Sequence, residues 1–233
     1  MSSARAYAAT NRRLPCDARG CRFRRNFTSR FCSRHRTKLR LYGSPEGRYI
    51  RKLEYGGYVK IVRQFFARHA NHVALQAAED AVRAILTPAR EQPHGRHLRL
   101  SPTYQLWREL SRLQSARVEP REALETVVAV WLLSYHQPRV LPDSERLTYA
   151  LANAVLRLAP LDAVKGWDHI AGKPWSVSRT PGALAVGLLG RRLRDALVPF
   201  LVNVVQSLEA DHDTQQKHLR ASFTASTTNI REE

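Results

Sequence analysis

The stretch SPTYQLWRELSRLQSARVEPREALETVVAVWLLSYHQPRVLPDSERLTYALANAVLRLAP, residues 101–160, contains three amphipathic segments separated by proline-containing connections. Each segment begins with residues that favour a helix start, namely Ser101-Pro102, Pro120 and Asp143. Apolar residues recur every three or four positions within each segment, which is the spacing of one helix face. Because the connections are short, the sequence predicts antiparallel helices packed in a bundle, and therefore a mainly α fold.

The inward face predicted for each of these helices is almost wholly apolar. Its residues are Leu106, Trp107, Leu110 and Leu113 in the first helix, Leu124, Val127, Val128, Trp131 and Tyr135 in the second, and Leu147, Leu151, Ala154, Val155 and Leu158 in the third. Segments 103–117 and 121–136 could also form a helix-turn-helix, but Glu122 and Glu125 place acids where a groove-reading helix carries base-contacting residues. We therefore expect the helices to form an interaction or assembly scaffold.

A long helical segment follows on the C-terminal side of the bundle. It begins at Thr180-Pro181, and its apolar positions have helical spacing: Val186, Leu189, Leu193, Leu197, Phe200, Val204 and Leu208. Pro199 lies in the middle, where a proline removes a backbone hydrogen bond, so we expect a kink or a break near residues 196–199. The broad apolar surface on both sides fits either ordinary core or self-association. The polar residues after Asp211 predict a mobile tail.

The segment on the N-terminal side of the bundle has a less uniform pattern. Residues 49–62 fit two short strands around Gly56-Gly57, because a Gly-Gly pair permits a hairpin turn, or alternatively a linker into a helix. Residues 87–99 predict an exposed basic linker. Between these two stretches the spacing of apolar residues predicts a single helix to about Leu86, with this stripe: Val59, Val62, Phe66, Ala70, Val73, Ala77, Ala81 and Ile85.

The positive charge of the chain is concentrated at its N-terminus. The 233 residues include 38 Lys and Arg against 20 Asp and Glu, a formal net charge of +18. Residues 1–52 hold fifteen of these basic residues against two acids, whereas residues 53–233 hold 23 against 18. An acidic polymer is therefore the expected partner. We divide the chain into a basic head (1–52), a hairpin or linker plus helix (53–100), a helical bundle (101–210) and a polar flexible tail (211–233).

Neither the termini nor the apolar segments predict export or membrane insertion. The first ten residues lack the continuous apolar region of a secretory signal. The most apolar stretch, residues 183–205, is interrupted by four charged side chains and falls short of a membrane span. Three cysteines, all within the first 32 residues, suit metal ligation in a reducing compartment better than a disulfide framework. We expect a cytoplasmic protein.

The three cysteines are followed by a histidine at metal-ligand spacing. Cys16, Cys21, Cys32 and His35 form the pattern Cys-x4-Cys-x10-Cys-x2-His. Three thiolates and one imidazole close the tetrahedral shell of Zn²⁺ and leave no position for a reacting water, so such a site folds a segment rather than catalysing. Gly20 can supply a turn with positive φ before Cys21. A short helix over residues 33–42, ended by Gly43, would carry His35.

Basic and aromatic side chains alternate around these ligands. The basic residues predicted to contact nucleic acid are Arg22, Arg24, Arg25, Arg30, Arg34, Arg36, Lys38 and Arg40. Arginine binds phosphate or guanine through its planar fork, and aromatic rings can stack on bases. Phe23 and Phe27 are the candidate stacking residues, although packing around the metal is the alternative for these rings and for Phe31.

Residues 14–47 resemble a small zinc module found in proteins of bacteriophages and other bacterial mobile elements. The likeness is carried by Gly20-Cys21, by residues 31–35 (Phe-Cys-Ser-Arg-His) and by residues 41–45 (Leu-Tyr-Gly-Ser-Pro). Relatives of this module occur in phage HNH nucleases and in small DNA-binding proteins. The resemblance implies a zinc-stabilised nucleic-acid-binding element, with DNA favoured over RNA, in an accessory protein of a phage or mobile element.

The sequence supports no catalytic site. Asp168-His169 is the one candidate for an HNH pair, but the expected asparagine and second histidine do not follow it. The pairs His69/His72 and His94/His97 lack acidic or cysteine partners for a metal. Phosphate-binding and nucleophile motifs are also missing from the sequence. We therefore expect a non-enzymatic nucleic-acid-binding protein, with a protein-interaction adaptor as the alternative and a divergent HNH nuclease as a third hypothesis.

Overall fold

The structure is a computed structural model that describes residues 2–88, 101–160, 163–168, 173–178 and 181–229. These residues form eight helices and one two-stranded antiparallel sheet, so the mainly α prediction is confirmed. In chain order the elements are α1 (Ser2–Asn11), α2 (Ser33–Tyr42), α3 (Lys52–Arg68), α4 (Val73–Leu86), α5 (Pro102–Ser115), α6 (Pro120–His136), α7 (Ser144–Leu156), β1 (Ala163–Asp168), β2 (Lys173–Ser178) and α8 (Ala183–Asn229).

Helix α6 is the centre of the body. All residues from 123 to 130 are buried, including the polar Glu125 and Thr126, and α6 packs against α3, α4 and α7. Helix α8 closes the other side of the core by packing against α4, α5 and α7. A helix whose central turns, residues 123–130, are buried on every side cannot lie in a DNA groove, so α5 and α6 do not form a helix-turn-helix reader.

The three helices of residues 101–160 begin where the sequence predicts. Pro102 and Pro120 lie in the first turns of α5 and α6, and the Asp143 side chain accepts a hydrogen bond from the backbone N–H of Arg146 at 2.7 Å. One predicted inward residue is wrong. Tyr135 is 53% exposed and hydrogen bonds to Glu209 of α8, which raises the pKa of the tyrosine.

The end of α7 is held by a buried arginine of α5. Arg112 donates to the backbone oxygens of Leu156 at 2.7 Å, Ala159 at 2.9 Å and Pro160 at 2.7 Å, and it also pairs with Glu109 at 3.1 Å. The last carbonyls of a helix have no hydrogen-bond donor within the helix and carry partial negative charge. A buried guanidinium supplies both the missing donors and a compensating positive charge. The two helix ends are therefore joined by polar as well as apolar contacts.

The hairpin proposed for residues 49–62 is wrong. Helix α3 begins at Lys52 and includes both Gly56 and Gly57. Glu54 determines this start, because its carboxylate accepts the backbone N–H of Arg51 at 2.8 Å and both terminal nitrogens of Arg48. The Arg48 guanidinium is the main reason that the pKa of Glu54 is lowered. A local cap thus outweighs the low helix propensity of two glycines.

The single helix predicted from Val59 to Leu86 is also wrong. Helix α3 ends at Arg68, a turn follows, and α4 begins at Val73. The His72 imidazole caps α4 by accepting the backbone N–H of Ala74 at 3.2 Å. The turn shifts the buried face of α4 by one position from the predicted stripe, to Leu75, Ala78, Val82 and Leu86.

The C-terminal part departs from the sequence analysis in three ways. Residues 163–178, which carried no strand prediction, contain β1 and β2, paired so that Val164 faces Val177. Helix α8 is continuous across Pro199, so of the predicted kink or break the break does not occur. The same helix extends to Asn229, past the start of the predicted tail. Within the described residues, we find no helix with the length and apolarity needed to cross a bilayer.

The head is attached to α7 by several contacts of different kinds. The Asn153 amide donates to the backbone oxygen of Leu41 at 3.2 Å, and Arg157 lies 3.7 Å from the centre of the Tyr49 ring. Arg146 pairs with Glu46 at 3.4 Å. The position of the head is therefore defined relative to the body.

Candidate metal centre

The four predicted ligands lie together at the N-terminus. One ligand atom from each of Cys16, Cys21, Cys32 and His35 falls within 4.8 Å of all the others. The Cys21 and Cys32 sulfurs are 3.9 Å apart, and His35 Nδ1 lies 3.4 Å from Cys16 Sγ and 3.3 Å from Cys32 Sγ. A tetrahedral ion with metal–sulfur bonds of about 2.3 Å would separate its sulfurs by about 3.8 Å. The cluster can therefore hold a metal ion in a closed tetrahedral shell, and its geometry is compatible with zinc.

Two glycines and one helix position these side chains. Gly20 adopts a φ of +65° immediately before Cys21, as predicted from the turn that the first two cysteines require. Helix α2 has the predicted bounds and carries His35 in its first turn. Gly43 ends it at a φ of +70°, with its backbone N–H donating to Leu39 at 3.0 Å. Cys32 and His35 therefore face the first two cysteines from the start of one helix.

The surroundings of the thiols shift the pKa values of Cys16 and Cys21 in opposite directions. Burial alone would raise the pKa of Cys16, but backbone N–H groups of Ala18 and Cys32, and the neighbouring His35, outweigh it and lower the pKa to about 7. Burial raises the pKa of Cys21, opposed by a backbone hydrogen bond from Phe23. The neighbouring sulfurs raise it further, since two thiolates repel each other. A bound cation would offset that repulsion and favour the thiolate form of the three cysteines.

The head has almost no apolar core of its own. Its buried cluster consists of Cys16, Ala18 and Cys32, with Cys21 and Phe31 packed against it. Such a small core cannot offset the entropy of ordering about thirty residues. A metal ion would supply the missing stabilisation, as it does in other modules of this size.

Polar contacts that the sequence analysis missed hold the loop between Cys21 and Cys32. Asn11, at the end of α1, is buried and donates to the backbone oxygens of Phe27 and Ser29. Asp17 pairs with Arg25 at 2.5 Å and with Arg30 at 2.8 Å, and hydrogen bonds from these two arginines lower the pKa of Asp17. No short motif marks these contacts, because they join residues up to 18 positions apart.

The predicted nucleic-acid contacts divide into three groups. Arg25 and Arg30 bind Asp17, and Arg25 also donates to the backbone oxygen of Pro15, so they belong to the framework of the loop. Lys38 is half-buried. The remaining predicted residues are exposed and form no ion pair with any described residue: Arg22, Arg24, Arg34, Arg36 and Arg40. Arg12, Arg13 and Arg19 are also exposed and were not predicted.

The three phenylalanines of the head have different environments. Phe31 is half-buried against the metal cluster, as the packing alternative predicted. Phe23 and Phe27 are instead 65% and 51% exposed. The Arg12 guanidinium lies 3.8 Å from the centre of the Phe27 ring. Only one of the three rings is therefore committed to packing around the ligands.

The other candidate sites gain no support. His72 caps α4, and the His69 ring lies 4.5 Å from the Phe65 ring. Asp168 is the last residue of β1, whereas His94, His97 and His169 fall outside the described residues. Within the described part of the chain, the head cluster is the one group of three or more Cys, His, Asp or Glu residues that could hold a metal.

Comparison with known proteins adds no family assignment. No protein-family model, no curated protein and no solved structure matches this chain. The likeness of residues 14–47 to phage zinc modules therefore rests on the motif residues themselves.

Proposed function

We propose that this chain is a zinc-containing, non-enzymatic protein that binds nucleic acid through its head. Zinc is the metal that we assign to Cys16, Cys21, Cys32 and His35, because it accepts mixed thiolate and imidazole ligands in a closed tetrahedron. Its role is to fold the head, since three thiolates and one imidazole leave no coordination position for a substrate.

The observation that carries the proposal is the unpaired positive charge of the head. Both acids of residues 1–52 already have partners: Asp17 pairs with Arg25 and Arg30, and Glu46 pairs with Arg146. The exposed arginines at positions 22, 24, 34, 36 and 40 are left without an ion pair among the described residues. Like charges this close repel one another unless a polyanion binds, and phosphate fits the guanidinium fork.

The finer parts of the proposal rest on the resemblance and on the body. DNA is preferred over RNA, and a phage or mobile element is the proposed source, because the head resembles modules of such proteins. The proposed role of the body is assembly, either with a second copy or within a larger protein–nucleic-acid complex in the cytoplasm. Helix α8 supports this role because it leaves the apolar side chains of Leu184 and Val202 exposed.

The test replaces Arg22, Arg24 and Arg34 by alanine and measures binding to labelled duplex DNA over a salt series. Each lost phosphate contact should lower the steepness of the log affinity against log salt plot by about one. The matched control removes three exposed charges from the body, at Lys60, Arg139 and Arg192. We expect weaker binding and a flatter salt dependence for the head variant, with near-normal behaviour for the control.

Three outcomes would contradict the proposal. Equal losses in the two variants would mean that net charge, and not the head surface, governs binding. Salt-sensitive binding of neither DNA nor RNA by the zinc-loaded protein would favour the adaptor alternative, in which the same basic face binds an acidic protein. Metal-dependent cleavage of DNA that is lost in His169→Ala would favour the nuclease hypothesis instead.

A further inference from the structure

The aromatic ring of Phe23 is exposed to solvent. It is 65% exposed, and among the described residues no aromatic ring or cation covers it. It lies within five residues of Cys21, Arg22, Arg24 and Arg25, in the most basic part of the chain. A single exposed apolar side chain is ordinary on a protein surface, so the case for a contact site rests on the backbone, the cleft and the charges around this ring.

The backbone around this ring is held in place. The backbone N–H of Cys16 donates to the carbonyl oxygen of Phe23 at 2.9 Å, and the next residue, Arg24, forms a β-bridge with Pro15. The backbone that carries the ring is therefore tied to the segment of Cys16, one of the four candidate metal ligands. A rigid platform loses little entropy when a flat ligand stacks on it.

A cleft of about 380 Å³ opens beside the ring. Its polar lining comes from Arg24, Arg25, Asn26, Ser33 and Arg34. The volume lies within the range of sites that take small organic groups. An aromatic wall together with arginines and an amide suits a group that is flat, polar at its edge and linked to a phosphate.

A second, partly covered platform lies on the same loop. Phe27 is 51% exposed, and Arg12 stacks on one face of its ring. Stacked guanidinium planes also accept bases in single-stranded complexes. Two aromatic positions four residues apart, with arginines between them, resemble the arrangement by which proteins bind successive unpaired bases.

We propose that the head prefers single-stranded nucleic acid, with one unpaired base stacked on Phe23 and the adjoining phosphates bound by Arg24 and Arg34. This inference rests on the proposed nucleic-acid function and names its substrate class. In a duplex the base faces are covered by neighbouring bases, so the exposed rings would have nothing to stack on. The shared ligand chemistry is an unpaired base with its phosphates, whether the strand is DNA or RNA.

The experiment measures the affinity of the zinc-loaded full chain for single-stranded DNA, single-stranded RNA and duplex DNA of one sequence. Phe23→Leu keeps the apolar volume but removes the π face, and it should weaken single-strand binding about 5- to 150-fold while changing duplex binding little. Phe23→Tyr keeps the ring and should restore single-strand binding. Leu53→Ala, at a side chain that is 91% exposed on α3, is the control for loss of surface apolar area.

A second readout reports stacking directly. The fluorescence of 2-aminopurine placed in the single strand should fall on binding to the parent chain and to Phe23→Tyr, and should stay high with Phe23→Leu. Metal content and circular dichroism of each variant establish that the head is folded.

The outcomes separate this inference from the function on which it rests. If the parent chain binds duplex as tightly as single strands, or Phe23→Leu leaves their ratio unchanged, the stacking inference is wrong while nucleic-acid binding stands. If no nucleic acid binds, both fail. A preference for the RNA single strand would overturn the DNA preference of the proposed function, whereas the stacking inference holds for either strand.

Discussion

Gly43 lies where the end of α2 in the head packs against α7 in the body. Its φ of +70° ends α2, and a Cβ at this position would lie 2.7 Å from Cδ2 of Tyr149 and 3.0 Å from the backbone oxygen of Glu145. Gly20 has a similar φ of +65°, but a Cβ there would meet no atom within 4 Å. The two glycines thus share a backbone requirement and differ in packing.

Gly43→Ala should destabilise the protein more than Gly20→Ala does. A left-handed conformation costs a residue with a side chain about 1–2 kcal/mol, and this cost applies to both variants. The clash with α7 should add about 1–3 kcal/mol in Gly43→Ala alone. Urea unfolding monitored by circular dichroism measures the difference. Equal losses in the two variants would show that the contact between Gly43 and Tyr149 does not limit the packing.

Arg112 is a buried cation that binds three backbone oxygens as well as the Glu109 carboxylate. Its Arg112→Met variant would leave Glu109 and three backbone carbonyls with fewer hydrogen bonds in the interior, so we expect a loss of about 3–5 kcal/mol of unfolding free energy. Arg83→Ala removes an exposed pair with Asp80 at the same i, i+3 spacing and should change stability by about 0.5 kcal/mol or less. Chemical denaturation compares the two, and similar losses would contradict the assigned role.

At the scale of elements, α3 contains two glycines that its packing does not need. A Cβ at Gly56 or at Gly57 would have no neighbour within 4 Å, and neither residue has a positive φ. Gly190 in α8 is the opposite case, because a Cβ there would lie 2.1 Å from the backbone oxygen of Thr148 in α7. The three positions separate the backbone effect of a helical glycine from its packing effect.

Gly56→Ala and Gly57→Ala should each stabilise the protein by about 0.8–1 kcal/mol, because alanine restricts the unfolded chain more than glycine does. Gly190→Ala should destabilise it, since the two helices would have to move apart. Thermal unfolding of the three variants distinguishes the cases. A loss of stability in both α3 variants would argue for a turn at residues 56–57 and against the continuous helix.

The two errors in the prediction of α3 and α4 share one physical cause. Proline and apolar spacing correctly located α5, α6 and α7, because those signals lie within each segment. The turn between α3 and α4 depends on one imidazole that accepts a backbone N–H, and the start of α3 depends on the carboxylate of Glu54. The periodicity of apolar residues does not reveal such caps. It therefore predicted one helix across residues 69–72, where α3 ends and α4 begins.

At the scale of the whole molecule, the head should depend on its metal while the body should not. The buried cluster near the candidate ligands contains three residues, whereas the body has a continuous apolar core from Tyr55 to Val205 that also includes Ile50 of the head. A zinc chelator should therefore unfold residues 14–47 and leave most of the helical signal in circular dichroism.

Limited trypsin digestion measures this difference, because the head is rich in arginine. We expect rapid cleavage within residues 14–47 after chelation, slow cleavage of the body, and protection of the head once zinc is restored. Cys32→Ala should behave like the chelated protein without added chelator. A digestion pattern that is the same with and without metal would contradict a structural role for the ion.

The metal ligands were predictable from sequence and much of the surrounding surface was not. Ligand spacing identifies the cluster because four soft donors at these intervals have few other uses. Whether an arginine pairs with Asp17 depends on how the loop folds, so the sequence analysis did not separate Arg25 and Arg30 from the unpaired arginines. The exposed position of Phe23 also depends on the fold, because the spacing of the phenylalanines in the sequence is compatible with packing around the metal as well as with base stacking.

The contacts of Leu41, Glu46 and Tyr49 with α7 have a consequence for rotational diffusion. A head joined by a loose tether would reorient in a few nanoseconds, independently of the rest of the chain. With the Asn153, Arg146 and Arg157 contacts in place, a fluorescent probe near Arg36 should instead report the slower tumbling of the helical body to which the head is attached. Any nucleic-acid strand bound by the head, as proposed, would then keep a constant orientation relative to α7.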